Sequence, residues 1–328
     1  MVEKGRSGGA RSKGVCFVTG SDGRLGQALV RSLISSGYSV RALVKNKELV
    51  LGLPSGVIPY IGDITNRKVL DNGCDGADCV FHLAAIVNSN KITTNEMLNV
   101  NVTGTANILE ASEKGGVGRL VFTSSVDVYG VRRKGVLTEQ AKLEPNDRYG
   151  YSKMLAEEEI NEFSGSMKYS ILRLSTIYGP GFEKSFFKIF RGIESKKVYI
   201  IGNGENHLSL EHVVDVVQAL RLAYEKTGSS KSGVYNINDG KAHTQKELFN
   251  LAADMLGVER PSKHVSRLIV KIVAQSKGID SDELRFLTSD RQIDISKARK
   301  ELGYSPTVSI EKGGMHMVEE FKKRGRDS

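Results

Sequence analysis

Apolar residues along this chain follow two rhythms that alternate over its first half. Short β-branched runs at residues 15–19, 39–44, 57–60, 79–83, 120–123 and 170–174 are apolar almost throughout. Runs of that length and composition predict strands buried on both faces. Between them, residues 25–35, 94–114 and 149–164 repeat their apolar positions every three or four residues. That period predicts amphipathic helices, and strands alternating with helices build a parallel sheet covered on both sides. The expected fold is therefore α/β, a doubly wound parallel sheet.

After Tyr178-Gly179-Pro180-Gly181 the rhythm changes. Helical stretches at 244–256, 262–275 and 310–323 are separated from brief strands at 198–201 and 234–237, and 213–224 reads as a helix returning to the first part. The chain is thus expected to comprise a mobile basic tail over 1–14, a sheet domain over 15–178 with a return segment at about 208–238, and a smaller, mostly helical C-terminal part over 179–328. No internal repeat or low-complexity linker separates the last two, so they are expected to interleave and share one cleft.

A composition of 39% hydrophobic and 26% charged residues over 328 positions supports a sizeable core. The formal net charge is +9, but Lys4, Arg6, Arg11 and Lys13 against Glu3 place part of that excess in the tail, where almost nothing apolar is available to bury. No cluster of basic and aromatic residues follows it, so nucleic acid is not expected as a partner, and the mild positive bias suits an acidic small ligand. Cys16, Cys74 and Cys79 lack paired spacing and read as reduced core residues. No run is long enough to span a bilayer, which makes a cytoplasmic protein without a membrane partner the expectation. The Asn101-Val102-Thr103 sequon then carries no meaning. Six histidines are scattered, and His207 with His212 lack the spacing of a metal-binding helix, so no metal is expected. Glu211 and Asp215 read as one face of a helix, solvated or capping.

Candidate chemistry begins directly after the first run, at Thr19-Gly20-Ser21-Asp22-Gly23-Arg24-Leu25-Gly26. Glycines at this spacing, between a strand and a helix, let backbone amides approach a pyrophosphate while the helix N-terminus adds positive potential. A dinucleotide is the expected ligand. NAD sites usually carry an acid at the end of the second strand, but here the chain reads Arg41-Ala42-Leu43-Val44-Lys45-Asn46-Lys47. A cationic end suits a 2′-phosphate, which favours NADP over NAD. Asp63 is expected either to accept from the adenine amino group or to cap the next helix.

In Tyr149-Gly150-Tyr151-Ser152-Lys153, the first tyrosine and the lysine are four apart, on one face of a helix. A phenol working near neutral pH needs its pKa lowered by about three units, roughly 4 kcal/mol. An ammonium about 4 Å away at an effective dielectric near 20 supplies about that much. Val121-Phe122-Thr123-Ser124-Ser125 places hydroxyls at the carboxyl end of the fifth run, where ligands bind in such sheets, and Ser125 is the choice for orienting a carbonyl. His82 reads as a packed strand-end residue.

These segments, with Gly62-Asp63-Ile64, His82-Leu83-Ala84-Ala85, Asn101 to Thr105, Arg173 to Gly181 and Leu302-Gly303-Tyr304-Ser305-Pro306, resemble the extended short-chain dehydrogenase/reductase superfamily, its epimerase and dehydratase group. The resemblance implies a Rossmann fold, a homodimer built through two long helices, and a catalytic set of Ser125, Tyr149 and Lys153 with Asn101 on the neighbouring helix. With the residue readings above, cofactor contacts are expected at Gly20, Asp22, Gly23, Arg24, Leu25, Gly26, Lys45, Asp63, Ile64, Leu83, Ala84 and Ala85, besides Tyr149 and Lys153, and substrate contacts at Ser125, Asn206 and Arg291. Dehydration is disfavoured, because Ser125-Val126-Asp127 stands where dehydratases read Thr-Asp-Glu. The function implied is NAD(P)-dependent epimerisation or oxidoreduction through a ketone, on a nucleotide sugar as in UDP-glucose 4-epimerases. Gly37 to Lys45 also resembles dihydroflavonol reductases and 3β-hydroxysteroid dehydrogenases, which gives an apolar ketone or alcohol as the alternative. A non-catalytic dinucleotide-binding protein is the second alternative.

Overall fold

The structure, a computed structural model, describes residues 12–87, 92–226, 232–276 and 282–325, so most of the basic tail lies outside the described residues. Seven strands form its main sheet: β1 (Val15–Thr19), β2 (Ser39–Val44), β3 (Ile58–Ile61), β4 (Cys79–His82), β5 (Arg119–Ser125), β6 (Lys168–Leu174) and β7 (Gly233–Ile237). All pairs are parallel, in the order β7-β6-β5-β4-β1-β2-β3. Side chains alternate across the sheet, so Cys16 and Val18 join one core with Leu29, Leu33, Val216 and Leu220, and Phe17 joins the other with Ile108, Ala156 and Ile160. This is a Rossmann-like doubly wound sheet. The strand order reverses between β1 and β4, which opens a crevice at their carboxyl ends.

The helices that cover it are α1 (Arg24–Ser35), α2 (Arg67–Cys74), α3 (Gly104–Lys114) and α4 (Arg148–Glu162). The single helix expected over 94–114 is in fact Thr94–Leu98, a π-helical Asn99–Thr103 and then α3. After β6 the chain leaves the sheet through α5 (Glu183–Glu194), and α6 (Val213–Glu225) with β7 then returns to it. The C-terminal part is completed by α7 (Gln245–Leu256), α8 (Arg267–Ser276), α9 (Asp282–Thr288), α10 (Ser296–Leu302) and α11 (Ile310–Glu320). It has its own core of Phe187, Phe190, Ala253, Leu256, Met317 and Phe321.

Two expectations fail here. Glu211 and Asp215 do not share a solvated helical face: Glu211 is a strand residue in Leu210–His212, paired with Thr176–Tyr178, and both carboxylates are fully buried. Asp215 accepts from the Thr307 amide and hydroxyl, both at 2.8 Å, and from the Val308 amide at 3.1 Å. Partners so far along the chain leave no trace in local spacing. The stretch 262–275 is helical only from Arg267, because His264–Val265 pairs as a strand with Ile200–Ile201.

Candidate active site

At the end of β1, Gly20 has φ +66°, and a Cβ there would lie 2.7 Å from the Ala84 amide nitrogen. A Cβ on Gly26 would fall 2.0 Å from the Gly20 carbonyl oxygen. Glycine is required at both, one for the turn and one for the approach of α1 to it. The Gly23 amide closes the turn on the Gly20 carbonyl at 3.0 Å, and α1 begins with no side-chain cap and no acidic residue in its first turn. Uncapped N–H groups beside a glycine turn form an anion site, so the residues present fit a dinucleotide pyrophosphate.

Asp22 and Gly23 share a recess of about 250 Å³ with Lys45, Asp63, Ile64, Leu83, Ala84 and Ala85. Lys45 Nζ lies 3.8 Å from Asp63 Oδ2 at the surface. The other Asp63 oxygen accepts from the amide and hydroxyl of Thr65, each at 3.0 Å, while the N-cap of α2 is Asn66. Asp63 therefore makes an Asx turn and does not cap the helix.

His82, at the end of β4, is fully buried, with Nδ1 2.7 Å from Thr19 Oγ1 and Nε2 3.1 Å from Thr105 Oγ1. The Thr105 hydroxyl donates to the Asn101 carbonyl, and the Thr19 hydroxyl accepts from the Ala84 amide. These roles put the imidazole proton on Nε2. Burial, with Lys153 nearby, lowers its pKa to about 3, so His82 is a neutral packing residue.

The hydroxyls at the end of β5 are used differently. Thr123 donates to the His82 carbonyl at 3.3 Å and Ser124 to Glu157 at 2.5 Å. Ser125 accepts from the Asp127 amide at 3.1 Å, which leaves its proton for a ligand. Across the cleft, Asp147 caps α4 by accepting from the amides of Tyr149 and Gly150 at 2.9 Å each. That cap fixes the turn bearing Tyr149, which is half-buried, whereas Tyr151 points outward and is 45% exposed. Lys153 is buried and donates to the Thr123 carbonyl at 2.8 Å, its Nζ 4.6 Å from the Phe122 ring centroid and 5.9 Å from that of Tyr149. Burial lowers its pKa to about 7, opposed by Glu157. Glu157 is itself held by Arg173, Nη2 to Oε2 at 2.6 Å, and Arg173 donates to the Tyr129 hydroxyl at 2.8 Å.

Asn101 sits in the π-helical segment, where its side chain accepts from the Ile86 amide at 2.7 Å and donates to the Ile86 carbonyl and Ser152 hydroxyl, each at 2.9 Å. The Ser152 hydroxyl donates to the Tyr149 carbonyl at 2.8 Å. Asn101 thus ties the exit of β4 to α4, through the Ile86 backbone on one side and the Ser152 hydroxyl on the other. Arg291 comes from the C-terminal strand Asp290–Ile293, and its Nη1 reaches the carbonyls of Val126 and Gly130 and the Asp127 carboxylate. Its buried Nε has no hydrogen-bond partner among the described residues. Asn206 stands apart, its amide spent on the carbonyls of Leu287 and Ser289 at 3.1 and 2.8 Å, and it is not among the residues lining the cleft.

The glycine turn, Arg24, Leu25, Ser125, Tyr149, Lys153 and Arg291 line one cleft of about 530 Å³. Its far wall, Phe182, Phe186, Ile189, Arg285 and Phe286, was not legible in the sequence, because these residues form no motif and reach the cleft only through the packing of α5 and α9. Phe182 also stacks with Arg24, whose guanidinium is 5.4 Å from the ring centroid. The arrangement can exchange a proton at an oxygen held between Ser125 and Tyr149, beside a dinucleotide.

The profile of the NAD dependent epimerase/dehydratase family matches residues 16–238. A 3beta-hydroxysteroid-dehydrogenase/decarboxylase from Arabidopsis thaliana is 28% identical, over 93% of this chain and 79% of its own length. The N-acetyl-alpha-D-glucosaminyl-diphospho-ditrans,octacis-undecaprenol 4-epimerase of Escherichia coli O157:H7 is 26% identical, over 90% of this chain and 92% of its own. Among solved structures, MoeE5 in complex with UDP-glucose and NAD superposes with a TM-score of 0.77 at 28% identity, covering 94% of this chain and 99% of MoeE5. On the fold, the site and these matches together, the chain belongs to the NAD dependent epimerase/dehydratase family, a family of enzymes.

Proposed function

We propose that this enzyme interconverts an alcohol and a ketone, with Tyr149 exchanging the proton at the reacting oxygen, Ser125 orienting that oxygen and Lys153 sustaining the phenolate. The observation that carries this reading is the buried Lys153 beside Tyr149, in one cleft with Ser125 and the glycine turn. Gly20, Gly23 and Gly26, with the amides of Arg24 and Leu25, would hold the pyrophosphate, and the recess lined by Lys45, Asp63 and Ala84 the adenosine half. The bound nicotinamide supplies or accepts the hydride. A protonated Lys153 favours the phenolate, by about 3 kcal/mol for a charge separation on the order of 6 Å in an effective dielectric near 20. Asn101 is a positioning residue in this account.

NADP is favoured as cofactor, since no acid ends β2 and Lys45 faces the recess. The exposed pair of Lys45 with Asp63 is worth no more than about 1 kcal/mol, too little to keep the lysine from a 2′-phosphate. NAD, present in the MoeE5 complex, is the second cofactor reading. A nucleotide sugar is the favoured substrate, because the cationic Arg291 lines the cleft and MoeE5, a structure of similar fold, is in complex with UDP-glucose. The apolar ketone remains the second reading, supported by the wall of Phe182, Phe186, Ile189 and Phe286. A cytoplasmic homodimer, joined through the helical stretches 94–114 and 149–164, completes the proposal.

Tyr149→Phe should keep cofactor affinity while turnover falls by about two orders of magnitude or more. Undiminished turnover rejects the mechanism. Running the same assay with NADPH and NADH tests the cofactor, and a preference for NADH would reassign it. Thermal stabilisation by UDP or GDP sugars, against steroid or flavonoid ketones, separates the two substrate classes.

A further inference from the structure

The proposed chemistry leaves one surface unused. Helix α8 exposes Leu268 at 67%, Ile269 at 53% and Ile272 at 54%. Their spacing puts all three on one stripe of the helix. Amphipathic helices ordinarily turn such a stripe to the core, and adjacent large aliphatic side chains left in solvent mark a surface for interaction. The surrounding sequence is basic: from Pro261 to Lys277 it holds Lys263, Arg267, Lys271 and Lys277 and no aspartate or glutamate. Lys263 and His264 are exposed, next to the stripe in the chain.

An apolar stripe bordered by cations complements one kind of partner, the interface of a bilayer with anionic headgroups, where acyl chains receive the aliphatic side chains and phosphates the cations. A second protein would have to supply both an apolar groove and an acidic rim. The ten described residues of this helix extend about 15 Å, half of a hydrocarbon core of about 30 Å, a length that suits lying in the interface. None of the described helices is long and apolar enough to span a membrane. A surface-lying helix needs no spanning run, so its signal is absent from the pattern that led to the expectation of no membrane partner.

We propose that α8 seats this protein peripherally on an anionic lipid surface, through Leu268, Ile269 and Ile272 with Lys263 and Arg267 at its border. The next described helix, α9, carries Arg285 and Phe286, which line the cleft, so the seat lies close to the cleft along the chain. The proposal does not depend on which substrate the cleft takes.

The test is flotation of the full chain with vesicles of phosphatidylcholine alone and of phosphatidylcholine enriched in phosphatidylglycerol. The wild-type chain should float with the anionic vesicles and be released progressively by salt. Leu268→Asp with Ile272→Asp should lower the bound fraction at least about tenfold, without a change in melting temperature because both positions are exposed. Lys263→Glu should weaken the preference for the anionic vesicles while leaving the stripe intact. A wild-type chain that stays unbound with both vesicles, or a double variant that floats as well as wild type, overturns the proposal. So does lipid-free self-association of the wild type that the double substitution abolishes, which would assign the face to a second copy.

Discussion

Lys153 is the residue on which the proposed chemistry turns, and its burial has a consequence for stability. In the folded, cofactor-free chain its pKa lies near 7, against 10.5 when exposed. Between those values the unfolded chain binds more protons than the folded one, so stability rises with pH across this window. Below about pH 7 both states are protonated and the full cost of burying the charge is felt, at most about 5 kcal/mol. Lys153→Met should therefore gain stability relative to wild type as pH falls from about 10 to about 7, and the gain should level off below that. Urea unfolding of both proteins over this range, without cofactor, checks it, and a difference independent of pH would mean that Lys153 is solvated. The neighbouring His82 has the same sign at lower pH, its imidazole staying neutral until about pH 3.

Among elements, the turn from β1 into α1 was fully legible because its demands are steric and local. Gly26→Ala would drive a Cβ to 2.0 Å from the Gly20 carbonyl, and either the turn or α1 must move. Cofactor affinity should fall at least about tenfold, since the turn's amides lose their aim, whereas Gly52→Ala, with no atom nearer than 3.9 Å, should bind as wild type. Calorimetric titration with NADPH or NADH separates these outcomes, and equal affinities would remove the turn from the site. The π-helical segment at Asn99–Thr103 was not legible, because apolar spacing cannot register one extra residue within a turn. That segment carries the amide pair between Asn101 and Ile86, so a feature invisible to the pattern places a residue that the motif did name.

Over the whole molecule, the sheet and its return strand could be read from alternating runs, but the joining of its parts could not. Asp215 meets Thr307 across 92 positions and Arg291 meets Asp127 across 164, separations at which no periodicity survives. Arg291 shows what such joins do. Its Nη1 holds the turn that follows Ser125 by Val126, Asp127 and Gly130, and it comes from a strand paired with Arg132–Leu137. Removing it leaves the half-buried Asp127 without its cation and releases the turn that aims the Ser125 hydroxyl, while the glycine cradle on the other side of the cleft is untouched. Arg291→Met should therefore lower kcat by about tenfold or more and destabilise the fold by about 1–3 kcal/mol, the cost of orphaned polar partners, with cofactor affinity unchanged. If the substrate is a nucleotide sugar whose phosphates meet the Arg291 guanidinium, KM for that substrate should rise as well. A higher KM with kcat and melting temperature intact would make Arg291 a ligand contact alone, and the clamp on the catalytic turn would have to be sought elsewhere.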